Sequence, residues 1–168
     1  MSHPKNDPIN LSEFRHKRAA LYMRSAANEE AHDSIENQYG ILRMFVVDCG
    51  CTLNLDHIFR DIGYSGASEI RKRPALSQLM AAAERREFDI VCIVSVDRLF
   101  RRRRLLLETL DELQKFDIGF VSIAQPEINT STVSSTLMIS LLDMFAEIEH
   151  ENTIERTRAG RTAKSPHR

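Results

Sequence analysis

The densest chemistry in the chain lies in Asp97-Arg98-Leu99-Phe100-Arg101, followed at once by Arg102, Arg103 and Arg104. Guanidinium is planar, permanently charged and shaped to pair with oxyanions, so arginines gathered this way suit a phosphate. The cluster follows the apolar run at 89–96 and opens a helical pattern. At helical spacing Arg98 and Arg101 share a face, as do Arg101 and Arg104. Arginine at a helix start opposes the macrodipole, so the cluster calls for an anion or several carboxylates. The plain reading is a solvated basic turn; the functional one is a phosphodiester site.

Charge elsewhere sharpens this contrast. The net charge of the 168 residues is −1, which does not suggest strong autonomous DNA affinity. Residues 1–70 hold 7 Lys/Arg against 10 Asp/Glu, and residues 71–168 hold 16 against 14. Local patches therefore meet any anion, and a second one gathers Arg156, Arg158, Arg161, Lys164 and Arg168. Cys49, Cys51 and Cys92 read as reduced thiols, and the scattered histidines offer no ligand spacing, so no metal is expected. With no glycine-rich phosphate loop, no nucleotide cofactor is expected either. The first residues carry no apolar leader and no run is long enough for a bilayer, so a cytoplasmic protein without a membrane partner is expected.

These residues need a scaffold. Residues 1–16 read as a flexible arm. Residues 19–23, 56–60, 89–96 and 118–123 are apolar runs of strand length. Between them lie helical patterns: one capped at Ser34 and ending at Asp48-Cys49-Gly50, one opened by Pro74, and one over 101–116. Residues 125–134 read as a polar loop, and 135–160 as a long helix whose apolar stripe is wider than one face. The alternation implies an α/β fold with a mainly parallel sheet of about four or five strands between helices. Active residues in such sheets gather beyond the C-terminal strand ends. Three polar clusters fall there: Arg24 and Ser25, residues 61–73, and residues 97–104.

Taken in order, Tyr22-x-Arg24, Asp61, Gly63-Tyr64-Ser65-Gly66, Arg73-Pro74-x-Leu76, Asp97-Arg98-Leu99-x-Arg101 and Glu155-Arg156-Thr157-Arg158-x-Gly160 resemble the catalytic domain of the serine recombinases. This is the resolvase/invertase family, and the likeness is greatest to its large-recombinase branch. Asn129-Thr130-Ser131-Thr132 and Ala146-Glu147-x-Glu149 agree with the same pattern. The resemblance covers residues 18–162 and implies a resolvase-like three-layer domain at 17–162. A basic tail at 163–168 follows, with no separate DNA-binding domain expected.

The resemblance implies metal-free DNA strand exchange. A serine attacks a phosphodiester, forms a 5′-phosphoserine link and leaves a free 3′-hydroxyl, while arginines neutralise the transition state. Carried over by motif, Arg24, Arg73, Arg98, Arg101 and Arg156 would hold the phosphate. Asp97 would orient arginines or assist proton transfer. Tyr22, Gln38, Asp61, Ser65 and Glu155 would support the site, and Arg104, Arg158, Arg161 and Lys164 would touch DNA phosphates. The long helix would make a homodimer, with a tetramer at synapsis.

The family pattern departs here in telling places. The nucleophile stands two residues after the arginine, where this chain has Ala26; the nearby hydroxyl is Ser25, one position early. Neighbours in a strand face opposite ways, so Ser25 points away from Arg24 unless the strand has already ended. Glu30 and His150 stand where the family has glutamine and arginine. Two readings follow. In one, Ser25 replaces the missing nucleophile of a site-specific recombinase. In the other, an inactive relative binds DNA, another recombinase subunit or a DNA-binding partner.

Overall fold

The computed structural model describes residues 11–26 and 31–129. The expected helix at 135–160, the tail at 163–168 and Thr130 to Thr132 lie outside the described residues. So do Glu30, Glu147, Glu149, His150, Glu155, Arg156, Arg158, Arg161 and Lys164.

Four strands form one parallel sheet: β1 (Arg18–Ser25), β2 (Thr52–Ile62), β3 (Ile90–Ile93) and β4 (Gly119–Ser122). Their order is β2-β1-β3-β4, so the chain reverses direction across the sheet between β1 and β3. Parallel strands need crossovers, supplied by α1 (Ala31–Asp48), α2 (Pro74–Glu84) and α4 (Arg103–Lys115). Alternation along β1 sorts the core. Ala19, Leu21 and Met23 pack with Ile35, Leu42 and Val46 of α1. Tyr22 and Arg24 leave from the opposite face, where α2 lies against β2.

The three crossover helices end alike. After α1, Gly50 takes a left-handed φ of 67°, the Cys51 N–H returns to the Val46 carbonyl, and the Gly50 N–H returns to Val47. This closure satisfies carbonyls the helix leaves open. Arg86 (φ 52°) ends α2 in the same way, and Asp117 (φ 58°) ends α4. In each case the next strand follows within a few residues.

Several boundaries differ from the sequence reading, among them β2, which runs over Thr52–Ile62 where 56–60 was expected. Phe14 is buried in the core and Leu11–Phe14 forms a 3-10 turn, so order begins before residue 17. α1 starts at Ala31, ahead of Ser34. The apolar run at 89–96 yields only the four-residue β3, because Ser95 turns the chain into a short helix, α3 (Val96–Leu99). Phe100 and Arg102 are extended, so α4 begins at Arg103 and Arg98, Arg101 and Arg104 share no continuous helix face. An apolar run cannot by itself separate a strand from a short helix.

Candidate phosphate site

The site grows from a buried polar frame beneath the C-terminal ends of β1 and β2. Asp61, at the end of β2, is 1% exposed. Its carboxylate accepts the Tyr22 hydroxyl at 2.7 Å and the N–H groups of Ala75 at 2.9 Å and Leu76 at 3.1 Å. It therefore caps the first turn of α2, where negative charge is favoured. Pro74 at the head of that helix has no N–H to satisfy. Arg73 is fully buried, 3.8 Å from Asp61 through Nε, and donates to the Tyr22 hydroxyl at 3.1 Å. Its guanidinium also lies 4.7 Å from the Phe100 ring centroid.

Arg24 and Arg73 converge on α3. Arg24 donates to the carbonyls of Arg98 at 3.1 Å, Asp97 at 3.2 Å and Tyr64 at 2.8 Å. Arg73 donates to Arg98 at 3.2 Å and to Leu99. The two buried cations thus satisfy the last carbonyls of a four-residue helix, which carry its negative end. Sequence inspection carries no sign of these acceptors, because they are backbone. Burial, then the charges of Arg73 and Arg101, pull the Arg24 pKa below its ordinary value, and Arg98 acts in the same direction. Three other guanidinium groups are therefore close enough to act on Arg24.

The exposed part of the cluster is Arg98 and Arg101. Arg98 is half-buried, with Nε 3.9 Å from Asp97 Oδ2. Asp97 Oδ1 also accepts the Ser95 hydroxyl at 2.5 Å. Arg101 is exposed, and its N–H donates to the Gly66 carbonyl at 2.9 Å. Gly66 is required by space: a Cβ there would sit 3.0 Å from Arg101 Cγ and 3.1 Å from Arg24 Nη2. Ser65 accepts the Ala67 N–H at 3.1 Å, so its hydroxyl holds the loop turn.

Gln38 reaches in from α1. Its carboxamide accepts the Arg24 N–H at 3.3 Å and donates to the Arg24 carbonyl at 3.1 Å. The pairing of β1 with β3 stops at Leu21 and Cys92, so Gln38 supplies the partner that β3 no longer offers. Beside it opens a cleft of about 490 Å³, lined by Ser34, Asn37, Gln38, Val94, Ser95 and Arg98. Such a crevice, where strand order reverses, is where open α/β sheets take ligands.

β1 continues through Ser25, which stands opposite Ile62. Alternation therefore assigns Ser25 to the Met23 face, away from the Arg24 side chain. Ser25 is 2% exposed and its Oγ has no hydrogen-bond partner among the described residues, whereas Ala26 is exposed. Arg104 lies beyond the cluster and pairs with Glu108 at 2.7 Å. Among the described residues no cluster of metal-ligating side chains forms, and no helix is long and apolar enough to cross a membrane.

The family model for the resolvase N-terminal domain matches residues 19–166. The chain belongs to the resolvase family. The DNA-invertase of Escherichia phage P1 is 30% identical over 139 residues, covering 83% of this chain and 66% of that protein. The Tn917 resolvase of Enterococcus faecalis is 29% identical over 114 residues, covering 68% and 59%. The chain thus spans less than two thirds of the length of these curated relatives. The N-terminal catalytic domain of TP901-1 integrase is 30% identical with a TM-score of 0.64, covering 83% of this chain and 99% of that one. A resolvase family site-specific recombinase from Streptococcus pneumoniae shares the fold at a TM-score of 0.62 and 24% identity, covering 88% and 97%. The four-stranded parallel sheet between helices is thus the architecture of a resolvase catalytic domain.

Proposed function

We propose that this chain acts in site-specific DNA recombination by engaging a backbone phosphodiester without cleaving it. The observation that carries the reading is the placement of Ser25. Arg98 and Arg101 offer accessible guanidinium groups over a buried Tyr22–Asp61–Arg73 frame, while the hydroxyl of Ser25, one position before Ala26, is buried on the other face of β1. Strand exchange would then fall to another recombinase subunit, with DNA as the shared partner.

A second reading, cleavage by Ser25, draws on the unpartnered Oγ, since a buried hydroxyl without a hydrogen bond costs about 1–3 kcal/mol. Turning Ser25 toward the arginines means slipping β1 by one residue. The slip breaks the bonds from the Gly63 and Tyr64 N–H groups to the Ser25 carbonyl and both bonds between Gln38 and the Arg24 backbone. At about 0.5–1.5 kcal/mol each, that loss is about 2–6 kcal/mol, so the observed register wins.

The test is a search for a covalent protein–DNA adduct on supercoiled DNA resistant to detergent. The expected result is no adduct from the natural chain or from Ser25→Ala, and an adduct from Ala26→Ser. An adduct from the natural chain that disappears in Ser25→Ala would overturn the non-cleaving reading and establish the second.

A further inference from the structure

We propose a second phosphate subsite, for the DNA backbone phosphate next to the one held by Arg98 and Arg101, in the cleft between the 3-10 turn Ile70–Lys72 and the start of α4. It rests on the reading that the chain engages DNA. The cleft encloses about 410 Å³ and is lined by Glu69, Ile70, Arg71, Arg102, Arg104 and Glu108, with Leu105. Both of its walls are extensions of the first site. The loop carrying Gly66 leads into Ile70–Lys72, and Gly66 accepts the Arg101 N–H.

The start of α4 gathers positive charge among the described residues. Its first turn holds no acidic residue, and its N-cap is Arg102, whose side chain makes no capping bond. The N-terminal end of a helix favours an anion, and here four consecutive arginines, 101–104, add to its positive potential. Two of the three cleft arginines have carboxylates on hand, Arg104 with Glu108 at 2.7 Å and Arg71 with Glu69 at 3.5 Å. The side chain of Arg102 has no ion pair among the described residues. Both pairs are exposed, and exposed pairs exchange readily for another oxyanion. A phosphodiester seated against Arg102 would find Arg71 and Arg104 on either side, with apolar support from Ile70 and Leu105 for its sugar. Of the three cleft arginines, only Arg104 was among the DNA-phosphate contacts expected from the sequence; Arg71 and Arg102 line the same cleft.

The experiment measures binding of the full chain to a short fluorescein-labelled DNA duplex between about 50 mM and 200 mM salt. Each lost phosphate contact lowers the slope of log K against log salt by about 0.9. Arg71→Ala/Arg102→Ala, which removes one phosphate contact, is expected to weaken binding roughly tenfold at low salt and lower the slope by about 0.9. Glu108→Gln, which frees Arg104, is expected to bind a few-fold more tightly, an effect that a merely structural role for these residues would not produce. Arg98→Ala/Arg101→Ala reports the first site separately. An unchanged slope in Arg71→Ala/Arg102→Ala, with a reduced one in Arg98→Ala/Arg101→Ala, overturns the subsite and leaves the first site standing. The reverse pattern keeps the cleft and overturns the first site. No binding by the natural chain overturns both.

Discussion

Asp61→Asn is the sharpest probe of the frame beneath the site. The substitution removes a negative charge that is 1% exposed and faces the fully buried Arg73 across 3.8 Å, with the Tyr22 hydroxyl between them. Arg73 cannot lose its proton, so its charge stays buried without a counter-charge. Breaking one side of a buried pair costs about 3–5 kcal/mol. The amide also keeps only one oxygen for the two N–H groups at the head of α2, which adds a loss of about 1 kcal/mol. Domains of this size have only about 5–15 kcal/mol of total stability. Each kcal/mol moves the midpoint of a chain this long by about 2–4 °C, so a fall of roughly 10–20 °C is expected in a thermal melt followed by circular dichroism. Tyr22→Phe keeps both charges and loses only the bridging hydroxyl, so its loss is expected nearer 1–2 kcal/mol. A melt of Asp61→Asn within about 2 °C of the natural chain would refute the reasoning, because the carboxylate would then not be what balances Arg73.

Two further outcomes follow from the geometry. Gly66→Ala forces a methyl against the Arg24 guanidinium, which three carbonyls hold in place; a destabilisation of about 1–3 kcal/mol and weaker DNA binding are expected, measured by urea unfolding and anisotropy. The hydrogen bond from Arg18 holds the Asp89 carboxyl below its ordinary pKa, so its stabilisation is present above the unfolded value near pH 4 and is lost as pH falls through the lower, folded one. Asp89→Asn should therefore cost about 1 kcal/mol near neutral pH and flatten the acid limb of the stability curve, while an acid limb identical to that of the natural chain would count against the pair.

Much of this protein is legible along the chain because local rules decide it. Strands β1 and β4 announce themselves as short apolar runs, Pro74 marks the head of α2, and Cys49-Gly50 marks the end of α1. The motif series names Tyr22, Arg24, Asp61, Arg73 and the Asp97–Arg101 cluster, and the family resemblance adds Gln38, since side-chain type and order are properties of the sequence. Alternation in β1 also foretells the face of Ser25, once the strand is known to run that far.

What each of these residues touches is a different matter, settled only by tertiary structure. Arg24 and Arg73 look like phosphate ligands in a list of residues, yet their donors go to the backbone carbonyls of Tyr64, Asp97, Arg98 and Leu99. Carbonyls are the same at every position and leave no mark in the sequence. The break at Phe100 is equally hidden, because it follows from where β3 stops pairing with β1 and from the bond between Arg101 and Gly66. Parallel pairing joins segments tens of residues apart, so which cations end up buried and which remain open to an anion is decided by the folded sheet.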